Sequence, residues 1–408
     1  MVASPVPVSS PPEDVAVNLP NASRRAFLGF FLIGVLVAIP GTALPAWNYH
    51  LQPPYLAIGF HFLSLALGVL LAMYTSRSLL SRMGSHSVFS TSLLLASLGI
   101  MILELSGPPL PVAYRHLAFF LVGSALGSLM AATFHLLRQL YERDPAATVN
   151  LAGGLMGLGA LLPAVLSAIS YHWTEFRGLF FLLALAPLGC AAVLLRAGAK
   201  PDYPVTSNGF RNLFQEFRSP VHILFGALLF FETAAELSVT QWTPLHLILR
   251  SGMSPASALY FLCFYCLALL GGRFLAQGMM RRYSHRLLLV SSAAMSWLGI
   301  LIFSSAANGT GATIGLALSA LGFSFVYPLL VERIGNGFRE YHSSLFHGIF
   351  GLAMMGGFLA PAAIGFLAAL SEESSAMMVP LWCSLLVFLL LVALWIESKI
   401  SSSRIARR

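Results

Sequence analysis

Of the 408 residues, 57% are hydrophobic and only 9% charged, whereas a water-soluble domain carries roughly a quarter charged residues; the composition excludes a soluble globular protein and points to lipid. The formal net charge of +8 does not indicate nucleic acid, because the basic residues sit in short clusters between apolar runs. The four cysteines, Cys190, Cys263, Cys266 and Cys383, all fall inside those runs, so neither a disulfide framework nor a zinc site is indicated, and no cofactor or metal is expected.

Residues 1–23 are rich in Pro and Ser and are expected to form a disordered cytoplasmic tail. Ser23-Arg24-Arg25-Ala26-Phe27-Leu28 has the look of a twin-arginine export signal. The further apolar runs behind it leave no soluble passenger to export, so Arg24 and Arg25 are read as the cytoplasmic anchor of the first helix. From Ala26 to Ile396 apolar stretches of about twenty residues recur, each long enough to cross a hydrocarbon core of roughly 30 Å as a helix. They are apolar on all sides and lack the period-two alternation of a transmembrane barrel.

In chain order the expected spans are Ala26–Trp47, Tyr55–Tyr74, Val88–Leu105, Val112–Leu136, Val149–Tyr171 and Leu179–Leu195. Six more follow at Val221–His246, Ala256–Leu275, Leu287–Ser305, Ala312–Val331, Leu345–Leu370 and Met377–Ile396. With both termini inside, the outer connections hold only Arg115, Arg177 and Arg250, and every other Lys or Arg lies on the inner side. Such a bias supports the orientation and an even number of spans, because one missed helix would scramble it. The expected fold is therefore an all-α polytopic membrane protein of twelve helices in two six-helix halves. Residues 24–197 and 221–397 form the halves, 198–220 a cytoplasmic linker and 398–408 a basic cytoplasmic tail. Gly159-Ala-Leu-Leu-Pro163-Ala in span 5 and Gly357-Phe-Leu-Ala-Pro361-Ala in span 11 are similar, as expected if the halves are repeats around a central site.

Several segments resemble the major facilitator superfamily, and within it the fucose-permease-like sugar transporter branch. Ala235-Glu236-Leu237-Ser238-Val239-Thr240-Gln241-Trp242 in span 7 is similar to the branch's Gly-Ala-Glu-x-Ser-x-Gly-x-Trp segment, and Gly272-Arg273-Phe274-Leu275 to its Gly-Arg-Leu-Leu at the end of span 8. Residues 150–163 and 350–365 resemble its Gly-rich, Pro-containing helices. The resemblance implies the major facilitator fold and a secondary active transporter that moves a polar organic solute, such as a sugar or sugar derivative, with protons by alternating access. The superfamily's Asp-Arg-x-Gly-Arg turn is reduced to Ser81-Arg82-Met83-Gly84-Ser85 after span 2 and to Arg281-Arg282-Tyr283-Ser284 after span 8. Spans 1 and 4 lack the carboxylates that proton-coupled sugar members use, so neither sugar specificity nor its usual coupling residue carries over. Arg82, Arg138, Arg273 and Arg282 are the candidates for a cytoplasmic gate.

An ionisable group at mid-membrane is costly unless it is paired, neutralised or facing a cavity. Glu232 falls near the centre of span 7, and Glu236 lies one turn further out on the same face. Together with His61 in span 2 they are the proton-coupling candidates, set against a role as hydrogen-bonded structural groups. No basic residue is expected at comparable depth; His61 in the outer half of span 2 comes nearest, then His116 and Arg115 at the outer end of span 4, while His135, His342 and His347 sit near the inner face. Trp47, Asn48, Gln241, Trp242, Tyr260 and Tyr327 are the aromatic and polar groups available to bind solute, although Trp47, Asn48 and Trp242 also fit an interfacial anchoring role. Gly123-x-x-x-Gly127 and Gly153-x-x-x-Gly157 are expected to allow close helix contact, and Pro40, Pro45, Pro163, Pro328 and Pro361 to bend their spans.

The expected partners are a small-molecule substrate, protons and the lipid bilayer, with no nucleic acid, for a protein working as a monomer in a bacterial inner membrane. An exporter of amphipathic compounds and a transporter-like sensor or scaffold are the alternatives. A membrane-embedded transferase ranks last, because its one candidate cluster, His135, Arg138, Glu142, Arg143 and Asp144, is accounted for by a solvated turn. No enzymatic activity is expected.

Overall fold

A chain this apolar must satisfy its backbone polar groups internally, and in lipid only helices or closed barrels do so. The computed structural model describes residues 19–143, 145–174, 176, 178–197, 220–280, 282–337, 343–371 and 376–405, and every regular element among them is an α-helix. The readings placed on residues 1–18, on the linker at 198–219 and on the last three residues lie outside this range.

Twelve helical segments among the described residues are long and apolar enough to span a membrane. Spans 1 to 6 are Ser23–Ala46, Tyr55–Ser76, Ser78–Leu105, Val112–Leu137, Thr148–Trp173 and Leu179–Arg196. Spans 7 to 12 are Ile223–Ser251, Pro255–Met280, His285–Ser305, Gly309–Leu330, Gly348–Ser371 and Met378–Ile396. The count and order match the sequence reading, but span 8 continues past its expected end at Leu275 to Met280, which draws Arg273 deeper into the helix than its motif suggested. Spans 2 and 3 belong to one helical stretch, Tyr55–Leu105, broken at Gly84, where φ is 77° and ψ 163°. That combination is open essentially to glycine alone, so the glycine of the reduced turn motif is kept by backbone geometry.

Since the number of spans is even, the start of span 1 and the end of span 12 share one side, here called the terminal face. Within the first half span 1 packs on spans 4 and 5, span 2 on span 4, and span 3 on span 6; within the second, span 7 packs on spans 11 and 12, and spans 8 and 9 on span 10. The halves meet where span 1 packs on span 7, spans 2 and 4 on span 11, and span 5 on spans 8 and 10. Leu70, Leu182, Leu185, Phe274, Trp382 and Leu389 point outward as an apolar surface suited to acyl chains.

Glycines set the closest approaches. A methyl at Gly159 in span 5 would lie 2.9 Å from the backbone carbon of Phe31 in span 1, and one at Gly356 in span 11 would lie 2.9 Å from that of Phe230 in span 7. Gly357, the glycine that matches Gly159 in the repeated segment, instead meets the Leu237 and Thr233 side chains of span 7, so each segment lies on the first helix of its own half but through a different contact. Gly123 and Gly127 pack on Leu65, Val69 and Ala72 of span 2, as a close-contact role requires. Gly153 and Gly157 do not pack on a helix backbone: their nearest neighbours are Arg273 and, at Gly157, Leu270.

Candidate functional site

Span 7 carries the two buried carboxyls. Glu232 is 1% exposed; its Oε2 accepts a hydrogen bond from the Thr233 hydroxyl at 3.3 Å, and its Oε1 has no partner among the described residues. One turn on, Glu236 Oε1 lies 3.9 Å from Nη2 of Arg273 in span 8. The same guanidinium donates through Nη1 to the backbone carbonyl of Gly153 in span 5, crossing from one half to the other. The expectation that no basic residue reaches this depth is corrected here: Arg273, read from its motif as a residue at the end of its helix, lies well inside span 8, which runs on to Met280, and is 6% exposed. One cation faces two carboxyls, and a net buried charge is strongly unfavourable. Two ionised carboxyls and one guanidinium would leave a net negative charge among these three groups.

Beyond these carboxyls, away from the terminal face, the halves are in close contact. Gln241 Nε2 donates to the backbone carbonyl of Val37 in span 1 at 2.6 Å, and a methyl at Gly41 would sit 2.8 Å from Gln241 Oε1. Trp242 Nε1 donates to the Pro361 carbonyl at 3.2 Å while its ring lies 6.4 Å from that of Phe62 in span 2. Phe60 meets Phe366 edge-on at 5.3 Å, and a methyl at Gly59 would be 2.8 Å from that ring. Two of the residues considered for solute binding, Gln241 and Trp242, are therefore part of this seal. Tyr260 is half exposed and stacks 6.2 Å from His172, another contact between the halves.

Trp47, a third candidate, is buried in the first half against Tyr49, His61, Phe119 and Phe180, with ring centroids 5.6–6.3 Å away. Asn48 is exposed in the turn that follows, at a positive φ of 57° that asparagine tolerates. His61 does not reach the carboxyls in span 7; it belongs to a separate chain of bonds. Arg115 Nη1 donates to the Tyr49 hydroxyl at 2.5 Å, and the Tyr49 hydroxyl and His61 Nε2 are 3.0 Å apart. His61 Nδ1 and His116 Nδ1 are likewise 3.0 Å apart. A guanidinium only donates, so the Tyr49 hydroxyl accepts from Arg115 and can offer its own proton to His61 Nε2 when that nitrogen is unprotonated. In that tautomer His61 carries its proton on Nδ1 and donates to His116 Nδ1; in the other, His61 Nε2–H donates to the Tyr49 oxygen and His116 Nδ1–H to His61 Nδ1. Burial pushes the Tyr49 phenol above its ordinary pKa against the lowering pull of Arg115, which keeps the proton this chain requires. Arg115 also covers the rings of Trp47 and Tyr49 at 5.6 and 5.7 Å and donates to the Leu110 carbonyl at 2.9 Å.

Of the gate candidates, Arg82 and Arg282 are exposed and Arg273 bridges the halves. The side chains of Arg138, Tyr327, His342 and His347 lie outside the described residues, as do those of Glu142, Arg143 and Asp144 in the cluster weighed for a transferase. Two features escaped the sequence reading. Glu104 accepts hydrogen bonds from the backbone N–H groups of Gly178 and Phe180 at 2.7 and 3.0 Å, a carboxylate capping the start of span 6. On the terminal side of the seal, an apolar cavity of about 50 Å³ opens between Phe30, Met130, Phe134, Met156, Phe350 and Met354.

Comparison with known proteins agrees with this geometry. The family model described as Major Facilitator Superfamily matches residues 26–362. A protein of Yersinia pestis described as an uncharacterized MFS-type transporter is 26% identical over 357 residues, which are 86% of this chain and 89% of that protein. Among solved structures, the E. coli fucose:proton symporter FucP superposes with a TM-score of 0.64 at 16% identity, over 90% of this chain and 97% of that one. The partially occluded inward-open form of the E. coli xylose transporter XylE gives a TM-score of 0.73 at 13% identity, over 92% and 99%. The likeness to the two solved structures extends to the fold, and the family match covers most of the helical bundle: this chain belongs to the Major Facilitator Superfamily.

Proposed function

We propose that the protein is a secondary transporter that moves a small organic solute across the membrane by alternating access, with Glu232 and Glu236 as its proton-carrying pair. One observation carries this reading: Arg273 ties the carboxyl pair of the second half directly to span 5 of the first. A carboxyl that gains a proton loses its hold on Arg273, and Arg273 is also what bridges the halves at Gly153. Protonation and the docking of the halves are then linked through one side chain. With the terminal face cytoplasmic, as the distribution of Lys and Arg favours, the sealed side is the outside and the cavity is on the inner side. Export of an amphipathic compound is the second reading, supported by the apolar lining of that cavity.

Proteoliposomes carrying a pH-sensitive dye test the proposal. Addition of transported solute is expected to move protons with it. Glu232→Gln, which imitates the protonated acid, should keep solute exchange and lose accumulation driven by a pH gradient. An equal effect of Glu236→Gln would make the two a coupled pair whose titration belongs to neither residue alone. If Glu232→Gln lowers only folding yield while the gradient still drives accumulation, the carboxyl is structural and the coupling role fails.

A further inference from the structure

The cavity on the terminal side is lined by four aromatic rings, three methionine thioethers, aliphatic side chains and Gly153. At roughly 10–15 Å³ per water, its 50 Å³ holds about four waters, the room for a single ring or a short chain. A sugar placed there would bury several hydroxyls against carbon, and each one left without a partner weakens binding. Four of the six residues thought suitable for sugar recognition lie elsewhere: Trp47 in the first-half core, Gln241 and Trp242 in the seal, Tyr260 near the far face.

A charge lies behind one wall of this apolar space. Gly153 contributes to the lining, and its carbonyl receives Arg273. A methyl at Gly153 or Gly157 would lie 3.5 or 3.4 Å from Arg273 Nη1, so these two glycines leave their face of span 5 to a guanidinium. Arg273 Nε has no hydrogen-bond partner among the described residues although the side chain is 6% exposed. An organic cation would be repelled here. Around the cluster, two ionised carboxyls and Arg273 sum to one negative charge, one proton makes the sum zero, and a second leaves Arg273 in need of an anion.

Resting on the transporter reading above, we propose that this cavity is the solute site and that its solute is a small organic anion with an apolar body. The anion binds when Glu236 is protonated and no longer serves as the counter-ion of Arg273. The apolar body fills the space between Phe30, Phe134 and Phe350, and the anionic head takes the guanidinium. Proton and anion enter as a neutral pair, so neither is buried alone.

The test uses the full chain in lipid nanodiscs and 3-phenylpropane-1-sulfonate, whose charge does not change with pH. The matched probes are 3-phenylpropanol, 3-phenylpropylamine and fucose. Calorimetric titration is expected to show the sulfonate binding more tightly than the alcohol, and the amine and fucose not at all. Sulfonate affinity should rise as pH falls, by up to about tenfold per unit where one proton must bind first. Arg273→Gln should remove the preference for sulfonate over alcohol, and Arg273→Lys should retain it. Glu236→Gln should bind sulfonate more tightly than the parent at neutral pH and with a shallower pH dependence, and Phe350→Trp, which fills the cavity, should exclude both probes. Equal binding of sulfonate and alcohol in the parent and in Arg273→Gln overturns the proposal, as does binding of fucose in their place. Measured flux separates the two readings. Tight sulfonate binding without any flux in liposomes supports the site and sinks the transport reading. Flux of a sugar by a protein that ignores the sulfonate does the reverse.

Discussion

At the scale of single residues, the chain Arg115, Tyr49, His61, His116 is joined by hydrogen bonds in either tautomer of His61, and its stability contribution follows from those bonds. His61→Ala leaves the Tyr49 hydroxyl and His116 Nδ1 without their shared partner, an expected loss of about 1–3 kcal/mol. A matching fall in the apparent melting temperature of the purified protein checks it. The Tyr49 phenol is held above its ordinary pKa of about 10. Its contribution is therefore complete below that value and lost as pH rises through the raised one, when the phenolate can no longer donate to His61. Melting temperatures measured on the alkaline side should fall more steeply for the parent than for Tyr49→Phe; equal slopes would remove the phenol from the account. His61 was legible in the sequence as an unusual residue in an apolar span. Its partners were not, because Tyr49 sits in a turn twelve residues earlier and Arg115 at the foot of another helix.

At the scale of elements, what the sequence revealed well was hydrophobic length, since a lipid core forces every span to be helical whatever its detailed residues. The helix ends were harder to read, and the largest consequence fell on span 8. The family motif puts the end of that helix at Leu275, whereas the apolar helix continues to Met280 and places Arg273 opposite Glu236. The glycines divide in the same way. Gly123 and Gly127 serve close helix packing, as the small-residue spacing implies, but the identical spacing at Gly153 and Gly157 accommodates a guanidinium, a difference no spacing encodes. Gly84 gives a clean test, because its backbone is in a region closed to other residues. Gly84→Ala should cost about 1–3 kcal/mol. Gly154→Ala, in a helix with open space around the added methyl, should be neutral or stabilise by about 0.4–1 kcal/mol. Equal melting temperatures for the two variants would contradict this assignment of strain.

At the scale of the whole molecule, two halves of like construction meet along spans 1, 2, 4 and 5 on one side and 7, 8, 10 and 11 on the other. The repeat was visible as Gly-Pro segments in spans 5 and 11, and in the structure span 5 packs on span 1 and span 11 on span 7, with the close backbone contact displaced by one residue, from Gly159 against Phe31 to Gly356 against Phe230. The seal was not visible, since Gln241 and Trp242 read equally well as solute-binding groups until their partners, the Val37 and Pro361 carbonyls, were known. In the proposed cycle the seal around Phe60 and Phe366 and the contact of Phe134 with Phe350 on the terminal side, ring centroids 4.7 Å apart, open in turn under control of Arg273. Spin-label distances measured in nanodiscs between residues 60 and 366, and separately between 134 and 350, test this alternation most directly. Two populations are expected at each pair, shifting in opposite directions as pH is lowered and losing that response in Arg273→Gln. A single population at both pairs, unchanged by pH and by the substitution, would contradict alternating access controlled by this arginine.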